Sequence, residues 1–321
     1  MNGIKISVVV PFYNEQELVG EFCARNNDVL KKIGLEYEIL AVDDGSQDGT
    51  AAILGQMAGK FPKLRVLTMA RNRGQSTAIA AGIKNSRGDY VVIMDGDLQH
   101  LPEEIPLFIE KMEQGFDLVS GRRKNRKESL LLRRIPSFFA NVLLKMATKT
   151  PASDMGGFKC IRGDLLRKIQ IRPGYHRFFP ALIHMMGGTV TEVNISAPKR
   201  PKGKSKYGLS RSIDVFLDIL MLWFESSFRS RPLYLLGRIS VFMFVFASAI
   251  FVWLLYEKLF RGYPMAIRPP FMISMLLFIL SFLFFFQAIM LELISRMLQK
   301  LLGIDNFVIK ESKALRDCKE D

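Results

Sequence analysis

Two long stretches toward the C-terminal end carry no charged residue: Ile239–Tyr256, eighteen residues, and Phe271–Leu291, twenty-one. As a helix, each can cross the roughly 30 Å hydrocarbon layer of a bilayer. A buried hairpin in a soluble core is the competing explanation. Phe282–Phe286, however, reads Phe-Leu-Phe-Phe-Phe and is apolar on every side, as lipid exposure requires. The chain is therefore expected to carry a two-helix transmembrane hairpin over 233–295. Its connection, Glu257–Pro270, is short, so both chain ends fall on one side. Basic residues occur in that loop (Lys258, Arg261, Arg268) and on the outer flanks (Arg229, Arg231, Arg238, Arg296, Lys300), so charge bias orients the hairpin only loosely.

The preceding residues mix charged and apolar positions as a soluble domain does. Met1–Lys5 lead straight into the apolar run Ile6–Val10, leaving no space for a secretory h-region and cleavage site. The three cysteines, Cys23, Cys160 and Cys318, are odd in number, far apart and in no metal-type spacing, and they fit reduced thiols of a cytosolic compartment. Short β-branched runs (Ile6–Val10, Tyr37–Val42, Leu64–Met69, Tyr90–Met94, Leu118–Val119) alternate with helical stretches at Glu15–Ile33, from near Asp48, Gln75–Asn85 and Pro102–Gln114. That alternation predicts an α/β domain built on a parallel sheet covered on both faces, with ligands at the carboxyl ends of the strands.

The net charge of +14 calls for an anionic partner. Arg122–Arg134 holds seven basic residues against Glu128, and Lys199–Arg211 holds six with no acid. Both clusters adjoin amphipathic segments, 130–146 and Ser212–Phe224. Anionic lipid headgroups and phosphates therefore fit better than nucleic acid, for which no recognition helix or stacking platform is evident. The expected layout is a catalytic domain over 1–210, a juxtamembrane amphipathic helix over 211–232, the hairpin, and a cytoplasmic tail over 296–321.

The chemistry concentrates at strand ends. Met94-Asp95-Gly96-Asp97-Leu98-Gln99 follows an apolar strand and sets two carboxylates two residues apart, with an amide oxygen nearby. Oxygen donors of this kind suit Mg²⁺ or Mn²⁺, which complete their shells with phosphate oxygens and water. A sugar leaving a nucleoside diphosphate needs such an arrangement, because charge builds on the departing phosphate. D-x-D alone is common in turns. Here Val42-Asp43-Asp44-Gly45-Ser46 and Pro11-Phe12-Tyr13-Asn14-Glu15 end two further strands and add acidic acceptors, an aromatic ring and tight turns.

VVVPFYNE, VDDGSQDGT, ARNRGQSTAIAAG and MDGDLQ, in that order, resemble the family-2 glycosyltransferases of GT-A fold. More narrowly they resemble the branch of dolichyl-phosphate mannose synthases and bacterial undecaprenyl-phosphate glycosyltransferases. The resemblance covers about residues 4–210, and the two-helix tail is similar to that of the bacterial members. It implies that Pro11, Tyr13, Glu15, Asp44 and Asp95 surround the nucleoside, that Asp97 and Gln99 hold Mg²⁺ or Mn²⁺, and that Arg122 faces phosphate. Arg200 begins Arg200-Pro201-Lys202-Gly203-Lys204-Ser205-Lys206-Tyr207, similar to the family's phosphate-binding arm but with Lys202 and Lys204 where an aromatic and an acid are usual. Ser153-Asp154-Met155-Gly156-Gly157-Phe158 resembles the segment whose aspartate stands beside the acceptor, with Gly156 in place of a serine.

The activity so implied is inverting transfer of one sugar from a nucleotide-sugar, by analogy a UDP-sugar, to polyprenyl phosphate at the cytoplasmic face of a bacterial inner membrane. A homo-tetramer is the assembly the analogy suggests. Two alternatives share the fold. A processive polysaccharide synthase ordinarily carries Gln-x-x-Arg-Trp and more spans, whereas Trp223 and Trp253 here lie inside apolar runs. A non-catalytic membrane scaffold would have no need to keep Asp95, Asp97 and Gln99.

Overall fold

The computed structural model describes residues 5–123, 156–169, 171, 172, 174–196, 221, 232–265 and 268–302. The chain falls into two compact units that divide near residue 220.

In the first unit, strands β1 (Ile6–Phe12), β2 (Tyr37–Asp43), β3 (Leu64–Thr68) and β4 (Tyr90–Ile93) alternate with helices α1 (Val19–Ile33), α2 (Thr50–Lys60) and α3 (Gln75–Asn85). A 3₁₀ turn, Pro102–Glu104, and α4 (Ile105–Glu113) lead to β5 (Leu118–Arg123). After these come β6 (Lys159–Arg162), α5 (Gly163–Leu166), a second 3₁₀ turn at Tyr175–Arg177, α6 (Phe179–Met185) and β7 (Val190–Ile195). The seven strands are ordered β3-β2-β1-β4-β6-β5-β7. Strands β1 to β4 pair in parallel, as the apolar runs predict, and β2 is buried along its whole length because helices cover both faces.

The second half of the sheet departs from a simple parallel series. β6 enters antiparallel between β4 and β5, so β5 is not the neighbour of β4, and β7 pairs in parallel with β5 beyond it. Four residues, Lys-Cys-Ile-Arg, form β6; nothing in so short a run declares its direction, which its neighbours impose.

Strand order reverses between β1 and β4, and an open α/β sheet offers its binding crevice at the carboxyl ends flanking such a reversal. Phe12 closes β1 there, packs edge-on against Phe22 at 5.5 Å, and leaves no room for a β-carbon on Gly96 beside the end of β4. On the far side, Phe108 of α4 stacks on Phe158 at 4.3 Å. At the middle of β1, a β-carbon on Gly82 would run into Val9, so the last glycine of ARNRGQSTAIAAG lets α3 lie close on the sheet. At the opposite ends of the strands, buried Glu38 accepts hydrogen bonds from Ser7 Oγ (2.7 Å), the Arg87 N–H (2.7 Å) and Arg65 Nη1 (2.6 Å), leaving no bare charge in the core. Cys23 and Cys160 are free and buried, and burial pushes the Cys23 thiol up to about 12.

The second unit is a helical hairpin of α7 (Pro232–Arg261) and α8 (Pro269–Leu302). Leu236–Arg261 and Pro269–Met297 are long and apolar enough to span a membrane, and only 17% of either span's most apolar stretch is buried. Mostly buried core helices they are not, which agrees with the expected membrane hairpin. Both helices outrun the uncharged stretches. α7 continues through Glu257, whose carboxylate pairs with Arg261 and Arg268, and α8 continues to Leu302, into the expected tail. Between the helices, Ser240 Oγ donates to the Ser281 carbonyl (2.8 Å) and Ser281 Oγ to the Ser240 carbonyl (2.9 Å). Reciprocal hydroxyl bonds of this kind join membrane helices without exposing a polar group to lipid.

Candidate active site

Three strand ends are tied together by hydrogen bonds rather than merely placed side by side. After β1 the chain turns at Asn14, whose φ of 53° is left-handed; asparagine tolerates that region better than most residues. The Asn14 N–H donates to Ser46 Oγ (3.0 Å), Asn14 Oδ1 accepts from the Gln47 N–H (2.9 Å), and the Glu15 N–H donates to Thr50 Oγ1 (2.9 Å). Tyr13 and Glu15 are thereby carried, half-buried, beside the loop that follows β2. Asp43 accepts from both the N–H and the hydroxyl of Ser46. Gly45, at φ 68°, approaches the main chain of Arg71 and Asn72 so closely that a β-carbon would lie 2.6 Å from it.

Asp44 makes the next link. Its carboxylate, 3% exposed, accepts the Arg73 N–H at 2.8 Å and the Gly74 N–H at 2.9 Å, which fixes the entrance to α3. Such a carboxylate shapes the crevice whatever else it touches. Asp44→Asn would put an amide NH₂ against one of those N–H groups, at a cost of about 1–3 kcal/mol. The variant is expected to unfold at a lower temperature in a thermal-shift measurement. An unchanged midpoint would show that the loop holds its shape without this carboxylate.

From that anchored entrance Gln75, the first residue of α3, donates from Nε2 to Asp95 Oδ1 at 2.6 Å. The turn after β4 closes on itself. Asp97 Oδ1 accepts the Gln99 N–H at 3.1 Å, and the Asp95 N–H donates to His100 Nδ1 at 3.2 Å. Between them Leu98 takes φ 58°, a conformation costing a non-glycine residue about 1–2 kcal/mol. Burial of its side chain, 3% exposed, offsets that strain. His100 is 1% exposed; its ring lies 5.4 Å from that of Phe158, and its Nε2 lies 3.5 Å from Arg123 Nη2. Burial is the leading cause that lowers the His100 pKa, with Arg123 and Lys159 acting in the same direction and Asp95 and Asp97 against it.

Gly157 completes the wall. A β-carbon there would stand 2.7 Å from Asp95 Oδ2 and 2.8 Å from His100 Cε1. Nearby, buried Lys159 donates to the His176 carbonyl (2.9 Å), and His176 Nδ1 lies 2.7 Å from Ser76 Oγ, which also accepts the Gly174 N–H (2.9 Å). The segment around 174–178 is thus bound to the start of α3.

Of the residues singled out from sequence, Pro11 lies near the end of β1, and Tyr13, Glu15, Asp44, Asp95, Asp97 and Gln99 belong to the turns at this end of the sheet. Arg122 is exposed on β5, in register with Asn194, whereas the next residue, Arg123, is the one that approaches His100. Asp154 and Arg200 lie outside the described residues, as do most of both basic clusters and both amphipathic segments. Gln75, His100, Arg123 and Gly157 were not assigned roles from sequence. His100 directly follows the D-x-D motif and Gln75 lies within a quoted motif, so both were within reach, but no local pattern links Gly157 to Asp95.

Among the described residues no three His, Cys, Asp or Glu side chains gather as a metal-holding group. Asp95, Asp97 and Gln99 nonetheless offer hard oxygen donors in one half-buried turn. Such a partial set suits an ion that draws its remaining ligands from a diphosphate and water.

The sequence profile of Glycosyl transferase family 2 matches residues 7–171. Dodecaprenyl-phosphate galacturonate synthase of Rhizobium johnstonii is 31% identical over 316 residues, covering 97% of this chain and 94% of that protein. Undecaprenyl-phosphate 4-deoxy-4-formamido-L-arabinose transferase of Photorhabdus laumondii is 34% identical over 281 residues, covering 86% and 83%. Among solved structures, glucosyl-3-phosphoglycerate synthase from Mycobacterium tuberculosis in complex with Mn²⁺, UDP and glucosyl-3-phosphoglycerate superposes with a TM-score of 0.53 at 18% identity. That match covers 70% of this chain and 80% of the other, and likeness at that identity is one of fold, here GT-A. With matching strand-end motifs, this sheet topology and relatives along nearly its whole length, the chain belongs to glycosyl transferase family 2, among relatives that are polyprenyl-phosphate glycosyltransferases.

Proposed function

We propose that this protein transfers a single sugar from a nucleotide-sugar, a UDP-sugar, to a polyprenyl phosphate at the cytoplasmic face of the membrane. The observation that carries the reading is the Asp95–Asp97 turn, locked to α3 and β1 at the sheet's crevice, in a chain that also bears a membrane hairpin. The relatives named for dodecaprenyl and undecaprenyl phosphate support the acceptor, since their similarity runs through both units.

In this reading Pro11, Tyr13, Glu15, Asp44 and Asp95 surround the nucleoside. Asp97 and Gln99 hold Mg²⁺ or Mn²⁺, and a bound ion would supply neutralisation of the diphosphate's negative charge. Arg122 and Arg200 stabilise phosphate charge, and Asp154 orients the acceptor. A lipid phosphate has a second pKa near 6 and is largely dianionic at neutral pH, so its oxygen attacks without a strong base. That oxygen forms the new bond to the anomeric carbon while the bond to the nucleoside diphosphate breaks, its electron pair leaving with the diphosphate. A single displacement inverts the anomeric configuration. Anionic lipids would draw the basic segments to the membrane surface, and a homo-tetramer is the proposed assembly.

Incubating the purified protein with undecaprenyl phosphate and a panel of nucleotide-sugars, followed by mass spectrometry of the lipid, is expected to give one lipid-linked monosaccharide. Absence of any product across UDP- and GDP-sugars would favour the scaffold alternative, and a growing chain would favour the processive synthase. Arg200→Ala is expected to raise KM for donor, acceptor or both by about tenfold or more, the worth of a charge-assisted hydrogen bond. Unchanged kinetics would remove Arg200 from the site.

A further inference from the structure

His100 is a histidine in the core that the family reading leaves without a task. Its position answers a question the D-x-D turn raises: what keeps two like-charged carboxylates and a left-handed leucine in one fixed arrangement. We propose that His100 is a positioning residue of the donor site, whose Nδ1 lone pair secures the Asp95 main chain and so presents Asp95 and Asp97 to a nucleoside diphosphate. The inference rests on the nucleotide-sugar reading given above.

The turn from Asp95 to His100 is closed by two hydrogen bonds, the Gln99 N–H to Asp97 Oδ1 at 3.1 Å and the Asp95 N–H to His100 Nδ1 at 3.2 Å. The first fixes the carboxylate of Asp97 and the second fixes the main chain of Asp95, whose side chain is separately held by Gln75 at 2.6 Å. Asp95 is thus gripped from the α3 side and from beneath. His100 itself cannot drift. Its ring is 1% exposed and packs at 5.4 Å against Phe158, and Gly157 lies against its Cε1. A hydrogen-bond acceptor held that firmly transmits its placement to the group it binds, which is how a supporting residue preorganises a site without touching the ligand.

A purely structural role makes a different claim: the imidazole would serve as a flat ring on Phe158, and phenylalanine would replace it well. Substitution separates the two. Phenylalanine keeps the ring and loses Nδ1. Asparagine loses the stack but carries an oxygen near the place of Nδ1, whereas glutamine carries its amide near the place of Nε2. The full chain in detergent micelles is titrated with UDP, and separately with GDP, in the presence of MnCl₂, with binding followed by calorimetry and folding by thermal unfolding.

H100F is expected to bind the nucleotide at least about tenfold more weakly than wild type, and H100N within about threefold of wild type, with H100Q resembling H100F. Should H100F fail to fold, tighter binding by H100N than by H100Q still supports the proposal, and equal or reversed binding overturns it. Binding by H100F at wild-type affinity, or equal loss in H100F and H100N, also overturns it while leaving the nucleotide-sugar reading intact. Failure of the wild type to bind either nucleotide removes that reading and this inference with it.

Discussion

Asp97→Ala is expected to lower sugar transfer by about a thousandfold or more, equivalent to roughly 4 kcal/mol of transition-state stabilisation. The size of the effect follows from the site's sparse donor set. Gathered acidic ligands are few among the described residues, so loss of one carboxylate removes a large share of what can face a metal–diphosphate. The same change is mild for the fold. Asp97 is half-buried, and the hydrogen bond it accepts from the Gln99 N–H is worth about 1 kcal/mol. Radiolabelled sugar transfer to lipid, thermal unfolding and membrane fractionation together test both halves. Asp97→Asn sharpens the result, since it keeps an oxygen for the Gln99 N–H but loses the charge; it is expected to be as inactive as the alanine variant and more stable. Metal-dependent turnover surviving in either would reject Asp97 as a ligand.

Gly157→Ala should rank second, with a loss of transfer of about a hundredfold, the usual consequence of displacing a reacting constellation by about 1 Å. The added methyl would stand 2.7 Å from Asp95 Oδ2 and 2.8 Å from His100 Cε1. Neither neighbour has an easy retreat. Asp95 is held by Gln75, and His100 is enclosed by Phe158 and Arg123. Either Asp95 turns away from Gln75 or the 156–158 segment backs out, at a cost of about 1–3 kcal/mol in stability. Gly55→Ala is the matched control. Gly55 lies within α2 with nothing within 4 Å of a β-carbon, and alanine there should stabilise by about 0.5–1 kcal/mol with transfer unchanged. If Gly157→Ala retained wild-type transfer, the wall behind Asp95 would have to be softer than its packing implies.

The elements legible from sequence are those whose signal is local. Ile6–Val10 and Tyr37–Val42 are apolar but for the mutually bonded Ser7 and Glu38, because helices cover both faces of β1 and β2, and Gln75–Asn85 appears as a helix with the bounds its pattern gives. The hairpin is equally local, since lack of charge over eighteen or more residues is a property of the run itself. What escaped depends on distant partners. The antiparallel direction of β6 is set by β4 and β5, not by Lys-Cys-Ile-Arg. The D-x-D carboxylates could be read as ligands from spacing, but their supports come from residue 75 and residue 157. Asp44 stands out as acidic in sequence, yet only the fold reveals that both its oxygens are occupied by the main chain at residues 73 and 74. Alternation along β5 sends Arg122 and Arg123 to opposite faces, a consequence of strand geometry that a Gly-Arg motif does not specify.

In the proposed reading, acidic turns at the carboxyl ends of β1, β2 and β4 form a metal-dependent site for a nucleoside diphosphate. Calorimetric titration of the purified full chain with UDP, in Mn²⁺, in Mg²⁺ and in EDTA, tests it most directly. Saturable binding of one nucleotide per chain is expected, requiring the divalent ion and disappearing in Asp97→Ala. No binding of UDP, or of GDP in a parallel titration, with either metal would contradict it.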